Sequence, residues 1–326
     1  MPTPVASAPT PSKQQAVAAP ATDYAYTPSQ NTSRTHRGVS LPTLPNGRLG
    51  LWGSVKAETV KLLGLQSTYW LLAITIFLLP AGAALAAWAG HSLSVFDPTT
   101  GETLVSPQFS AISLWKSVSG FVSTVAITVG IFGIMAITGE YSTKSIQSTL
   151  TANPNRVGML TAKSWVVGVM SFLAGLVGLL ASWGVVALMS RSWNVSALAE
   201  GQWRLSVVSV LGGALVLMIF ACMSLGLGAL CRSTSGAVFA LIAILMILPT
   251  VLNVVSVMAT QFEWISTLQA FLPSAAIDNF LGAGIEAQTQ SQGFAPNWWQ
   301  SGLILVGWWI VIDTLGTLVV KRTDIK

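Results

Sequence analysis

Few side chains in this 326-residue sequence have the types and spacing that catalysis or metal binding requires. Cys222 and Cys231 lie in or at the end of one apolar run, without CxxC spacing and without a second pair to complete a metal site. His36 lies in an N-terminal polar segment and His91 in a connection between apolar runs, and the motifs HExxH and GxSxG are absent. We therefore expect no catalytic residues, no cofactor site and no metal site, and predict that the chain is not an enzyme.

Two polar side chains stand out because they lie within apolar runs. Asp313 is the only carboxylate deep in such a run, and a charge inside a membrane is a candidate proton relay or substrate contact. A capping or hydrogen-bonded structural role is the alternative. Asn253 follows Pro249, which predicts a kinked helix, and its amide either satisfies the freed backbone groups or faces a translocation path. Asp313 and Asn253 are the candidates for such a path.

The charged stretch over residues 139–163 has the features of a docking element. Opposite charges four residues apart, an apolar pair on one helix face and an Asn-Pro-Asn turn predict a short amphipathic helix, a turn and a second helix. This arrangement is either a rigid knob that docks in a groove of a partner or a solvated loop. The side chains expected to make that contact are Glu140, Tyr141, Lys144, Ile146, Leu150, Arg156 and Lys163.

These residues belong to a sequence that is 52% hydrophobic and only 8% charged, whereas a soluble domain is about 25% charged. The composition therefore favours a membrane protein. Each of six apolar runs reaches the roughly 20 residues that a helix needs to cross a hydrocarbon core, and helices are expected because lipid cannot satisfy free backbone groups. All six lie in one membrane domain, residues 49–326. The predicted spans cover residues 69–89, 117–138, 164–190, 205–230, 237–258 and 300–320.

Basic residues between the runs predict the orientation of the chain. With the N-terminus inside, thirteen Lys and Arg residues lie on the cytoplasmic side, and only Lys116, Arg191 and Arg204 lie outside. We expect a multi-pass protein of the bacterial inner membrane with both termini in the cytoplasm. The net charge of +5 is spread over short gaps and forms no basic face, which argues against nucleic acid as a partner.

Two different segments precede the first span. Residues 1–48 are rich in Pro, Ser, Thr, Ala and Gln, which predicts a disordered cytoplasmic tail, either passive or regulatory. Over residues 49–67, apolar side chains such as Trp52 and Leu62 recur at helical spacing while Glu58 lies on another side. This pattern predicts an amphipathic helix in the headgroup region, and an extension of the first span is the alternative.

Four short motifs occur in order along residues 50–326. They are E-x-x-K followed by S-T-x-W at Glu58–Trp70, G-E-Y followed by P-x-R and a lysine at Gly139–Lys163, G-L-G-A-L-x-R-S-T-x-G at Gly226–Gly236, and Leu272-Pro273-Ser274. Together they resemble motifs of the actinobacterial-type ABC-2 permeases, the membrane subunits of ABC transporters. Lys144-Ser145 departs from the Gly-Thr pair that such permeases often have at this place.

The resemblance implies an all-α, type V exporter-like permease in the lipid bilayer, paired with a second permease chain as a homodimer or heterodimer. It also implies that residues 139–163 are a coupling helix that contacts an ABC ATPase subunit, beside the helix at 49–67. The chain has no G-x-x-x-x-G-K-[ST] phosphate loop, so ATP and Mg would be bound by that partner. Two other interpretations stay open: a proton-coupled secondary transporter that uses Asp313, and a non-transporting immunity or sensor protein.

Overall fold

The computed structural model describes residues 51–95, 108–143, 156–258, 262–285 and 294–322. The predicted tail at residues 1–48 lies outside this part of the chain, as do Lys144, Ile146 and Leu150 of the predicted docking element. The backbone of Arg156 is described, but its side chain is not.

Six helical rods in the described residues are long and apolar enough to cross a membrane, which confirms the predicted number. The chain is thus an all-α, multi-pass membrane protein, apart from two strands of two residues each. Each span is longer than its predicted run, because the apolar run covers only the hydrocarbon core and the helix continues beyond it. Spans 1 to 6 cover Gln66–Ser94, Ala111–Ser142, Val157–Ser192, Arg204–Cys231, Thr234–Met258 and Trp298–Arg322.

The spans are built from helices with local breaks. Helix α1 is Leu51–Leu63, and α2, Gln66–Ser94, is span 1. Span 2 joins α3, Ala111–Ser119, to α4, Val122–Ser142, and span 3 is α5, Arg156–Met189, with the 3-10 turn Ser190–Ser192. Span 4 joins α6, Arg204–Val207, to α7, Gly213–Cys231, through the π-helical turn Val208–Gly212.

The remaining elements follow the same scheme. Span 5 joins α8, Thr234–Ile242, to α9, Leu248–Met258, through the π-helical turn Ala243–Ile247. Two short helices, α10 at Glu263–Ala270 and α11 at Pro273–Leu281, precede α12, Trp298–Arg322, which is span 6. Strands β1, Phe109–Ser110, and β2, Val195–Ser196, pair in parallel, with Phe109 opposite Val195.

Because successive spans run in opposite directions, the connections fall on two sides. Helix α1, the end of span 2 and the start of span 3 lie together on one side, called here the α1 side. The two strands, α10 and α11 belong to the opposite side. There the ring of His91 stacks on the indole of Trp193 with centroids 4.1 Å apart, and Phe109 meets both rings edge-on.

Helix α1 is separate from span 1, which decides between the two predictions for residues 49–67. The helix ends at Leu63, and Leu65 has an extended conformation with φ −94° and ψ 121° before α2 begins. Helix α1 packs against the start of span 3. Its buried face contains Leu62, 2% exposed, and also Glu58, 6% exposed, so the prediction that Glu58 lies away from the buried face was wrong.

Span 4 lies at the centre of the bundle, packed against spans 2, 3 and 6. Its Leu217 and Phe220 are fully buried. It crosses span 6 at very short range: a Cβ atom added to Gly226 would lie 2.8 Å from Asp313 Cα, and one added to Gly316 would lie 2.4 Å from the carbonyl oxygen of Gly226. Small residues therefore bring these two spans into backbone contact, as is common between membrane helices.

Candidate functional site: a buried charge cluster

Four charged side chains from three helices meet on the α1 side of the bundle, and we call them the charge cluster. Glu58 and Lys61 come from α1, Glu140 from the last turn of span 2 and Lys163 from the start of span 3. Lys163 Nζ donates to Glu140 Oε1 at 2.8 Å and also pairs with Glu58 Oε2. Lys61 Nζ pairs with Glu140 Oε1, so the two lysines share one carboxylate oxygen.

The helices position these groups in a simple way. Glu58 and Lys61 are three residues apart and therefore lie on neighbouring positions of one face of α1. Lys163 lies two turns into α5, where α1 packs against it. Glu140 lies near the C-terminus of α4, where the helix dipole disfavours a negative charge, so its two lysine partners compensate both the charge and the dipole.

Burial makes this cluster costly to break. Lys163 is 0% exposed, Glu140 is 3% exposed and Glu58 is 6% exposed, while the Lys61 side chain reaches solvent at 40%. Two acids and two bases sum to zero charge, which is the condition under which ions are tolerated away from water. Removing one partner of a buried pair leaves an uncompensated charge and typically costs about 3–5 kcal/mol. The cluster therefore ties α1 firmly to spans 2 and 3.

One atom of the cluster has no hydrogen-bond partner among the described residues. Glu140 Oε2 is buried and accepts nothing there, whereas Oε1 accepts from two lysines. A new donor could therefore bond to Glu140 Oε2 while both lysines stay bonded to Oε1. The hydrogen-bond network can rearrange at this carboxylate for that reason.

The side chains of three predicted contact residues are described, and two of them, Glu140 and Lys163, meet in the charge cluster. Glu140 and Lys163 lie inside the cluster and not on the surface, so any effect they have on a partner is transmitted through α1 and the span ends. Tyr141 is half-buried against the core. The predicted pairing of Glu140 with Lys144 lies outside the described residues. Among the described residues, Glu140 pairs with Lys61 and Lys163.

Sequence reasoning missed Glu58 and Lys61 as members of the site. A signal was present for Glu58, which lies three residues after Val55 and four before Leu62 and therefore beside apolar positions of the helix, where a buried charge needs a partner. The spacing says which face they occupy, but not which span covers that face.

The two predicted path residues have very different surroundings. Asp313 is half-buried where span 6 crosses span 4, and its Oδ1 is buried without a hydrogen-bond partner in the described part of the chain. Asn253 is exposed on span 5. The backbone of span 5 departs from α-helical hydrogen bonding at the π-helical turn Ala243–Ile247, just before Pro249.

The described residues were also compared with the predictions for metal ions and for the two cysteines. Within them, no group of three or more His, Cys, Asp and Glu residues could hold a metal ion. Cys222 and Cys231 are free thiols, and the buried Cys222 Sγ donates to the carbonyl oxygen of Ser164 at 3.3 Å. This contact gives Cys222 a packing role between spans 3 and 4.

Comparison of the chain with protein-family models found no match, and comparison with curated proteins found none either.

Proposed function

We propose that this chain is the membrane-spanning permease subunit of an ATP-binding cassette exporter, of the ABC-2, type V exporter-like class. The observation that carries the proposal is the charge cluster, because it clamps α1 to the end of span 2 and the start of span 3. Those two helix ends flank residues 144–155, the segment that the family resemblance makes the coupling element. A force applied to this segment or to α1 would therefore move both spans.

The cluster suits force transmission because its members cannot separate cheaply. Lys163 pairs with carboxylates on two other helices. Tilting α1 alone would therefore leave a buried charge without its partner. Helix α1, the end of span 2 and the start of span 3 then move as one body. In this proposal an ATPase subunit that binds ATP and Mg pushes on that body, and the spans alternate between inward-open and outward-open arrangements.

A second permease chain is supported by the exposure of span 5. Only 11% of its most apolar window is buried, against 56% for spans 2 and 4. Hydrophobic residues there can face lipid, but the exposed Asn253 amide would lose its hydrogen bonds in hydrocarbon. A second chain, identical or related, would cover this face, and the substrate path would then run between the two permeases.

The proposed location follows from the basic residues. If the α1 side faces the bacterial cytoplasm, both termini lie inside and the ATPase meets α1 there. The direction of transport, export, is taken from the family resemblance.

A proton-coupled secondary transporter is the second candidate, and Asp313 favours it. Its buried Oδ1 lacks a partner in the described residues, as a proton-carrying carboxylate within a membrane would. This alternative requires no ATPase and predicts that Asp313→Asn abolishes activity driven by a proton gradient.

Affinity capture from native membranes tests the proposal. The tagged chain should co-purify with a protein that carries a phosphate-loop motif, identified by mass spectrometry. Replacing residues 144–155 with a Gly/Ser linker of equal length should abolish this capture, while the same replacement of residues 286–293 on the opposite side should leave it intact. Absence of an ATPase, or capture that survives the first replacement, would refute the coupling assignment.

A further inference from the structure

A cavity of about 370 Å³ opens on the opposite side of the molecule from the charge cluster. Its walls come from the end of α11 and from the chain entering span 6. The side chains that give it chemical character are Asp278, Asn279, Asn297, Trp298 and Trp299. The volume lies in the range of about 300–1,000 Å³ that is typical of small-molecule sites in proteins.

Asp278 gives the cavity a negatively charged side chain. Its Oδ1 accepts a hydrogen bond from Ser123 Oγ at 3.1 Å, and none of the ion pairs found between described residues involves Asp278. Lys116 lines a second, smaller cavity that Asp278 also borders. Asp278 is an exposed residue that lines both cavities.

The end of helix α11 strengthens this negative field. Asp278 lies in the last turn of a nine-residue helix, whose C-terminal end carries a partial negative charge from its free carbonyl groups. An acidic side chain at this place is unfavourable by itself. A bound cation would be attracted by the carboxylate and by the helix end together.

The far wall of the cavity is held in place by an unusual backbone turn. Ala283 and Gly284 both have positive φ, 51° and 72°, and Ala283 is one of the two non-glycine residues in the described chain with this conformation. A Cβ atom on Gly284 would lie 2.9 Å from Trp298 Cδ1, so the backbone approaches the indole closely. Trp298 is also packed against Phe280, with centroids 6.2 Å apart. The indole is thus fixed in position at the cavity.

We infer that this cavity binds the ammonium group of a small organic amine. The carboxylate of Asp278 supplies the opposite charge, the amide oxygens of Asn279 and Asn297 accept N–H hydrogen bonds, and indole rings attract cations through their electron-rich faces. An anion would be repelled by Asp278. A divalent metal ion would need more carboxylate ligands than the described residues provide here.

This inference is independent of the ABC proposal, because it concerns equilibrium binding to the purified chain. Isothermal titration calorimetry in detergent would compare phenethylammonium with the neutral 2-phenylethanol, which has a similar shape but no charge. The expected result is saturable binding of phenethylammonium at one site and binding of 2-phenylethanol that is about tenfold weaker or more. Absence of phenethylammonium binding, or equal affinity for the two compounds, would overturn the inference.

Variants locate the binding. Asp278→Asn keeps the size of the side chain and its ability to bond Ser123, and should weaken phenethylammonium binding about tenfold or more. Glu200→Gln removes the same charge from an exposed position on the same side and should have no comparable effect. Asn297→Leu, at an exposed position, gives a second variant that should weaken binding even if Asp278→Asn fails to fold. Unchanged affinity in both cavity variants would place the site elsewhere and overturn the assignment.

Discussion

At the scale of single residues, Lys163 has the most demanding environment in the described chain. It is a fully buried lysine whose charge is balanced by carboxylates from two other helices. Its burial could not be predicted from the sequence, where it follows a polar turn and precedes an apolar run. Sequence spacing marked Glu140 and Lys163 as notable charges, but which groups they pair with depends on how α1 folds back onto span 3.

Replacing Lys163 by methionine should destabilise the protein strongly. The change keeps the length of the side chain but leaves Glu58 without its lysine and Glu140 with only Lys61, and buried unpaired charges typically cost about 3–5 kcal/mol. Chemical unfolding in detergent, followed by far-UV circular dichroism, would measure this. Lys56→Met, an exposed position on α1, is the matched control and should change stability by less than about 0.5 kcal/mol. Equal effects of the two changes would show that the cluster is not stabilised by Lys163.

Asp278 should make stability depend on pH with a defined sign. Surrounding protein raises the pKa of its carboxyl, and the hydrogen bond from Ser123 opposes this shift. Because the pKa is higher in the folded state, the unfolded chain loses its proton first as pH rises. Stability should therefore fall between the ordinary pKa of an aspartate and the raised value, and stay lower above it.

The pH effect can be isolated by comparison with Asp278→Asn, which does not titrate. Unfolding midpoints of both proteins, measured from acidic to neutral pH, should show the wild type losing stability relative to the variant as pH rises. Saturating phenethylammonium should reduce that loss. A difference between the two proteins that is constant with pH would mean that the folded protein does not shift the pKa of Asp278.

At the scale of elements, the crossing of spans 4 and 6 depends on glycine. Gly316→Ala places a methyl group against the backbone of Gly226, so the helices must separate or shift, and overpacking of this kind costs about 1–3 kcal/mol. Gly307→Ala changes the same helix where nothing lies within 4 Å and should be neutral or stabilising. Thermal unfolding would distinguish them, and a harmless Gly316→Ala would contradict the observed crossing.

The long spans can be predicted from the sequence, whereas the breaks within them and the two short strands cannot. Hydropathy predicts the six spans because lipid requires long apolar helices, and a long apolar run can be recognised directly in the sequence. The break at Leu65 decided between a separate α1 and a longer span 1, which periodicity had left open. The π-helical turns Val208–Gly212 and Ala243–Ile247, and the strands Phe109–Ser110 and Val195–Ser196, have no strong local signal. The two strands form where Phe109 meets Val195, two residues far apart in the chain.

At the scale of the whole molecule, the two sides of the bundle have different chemistry. The α1 side carries a neutral, tightly paired cluster that joins helices, while the opposite side carries a cavity lined by the carboxylate of Asp278. The first arrangement suits mechanical coupling and the second suits recognition of a charged solute. Span 5, with its exposed Asn253, suits contact with a second chain.

In the proposed exporter, α1 receives force from an ATPase subunit. A photo-crosslinking amino acid in place of Lys56, on the exposed face of α1, measures that contact directly in native membranes. We expect a crosslinked product with a protein that contains a phosphate-loop motif, and no such product when the same amino acid replaces Glu200 on the opposite side. Absence of the ATPase from the Lys56 product, or its equal capture at both positions, would show that α1 does not contact an ATPase subunit.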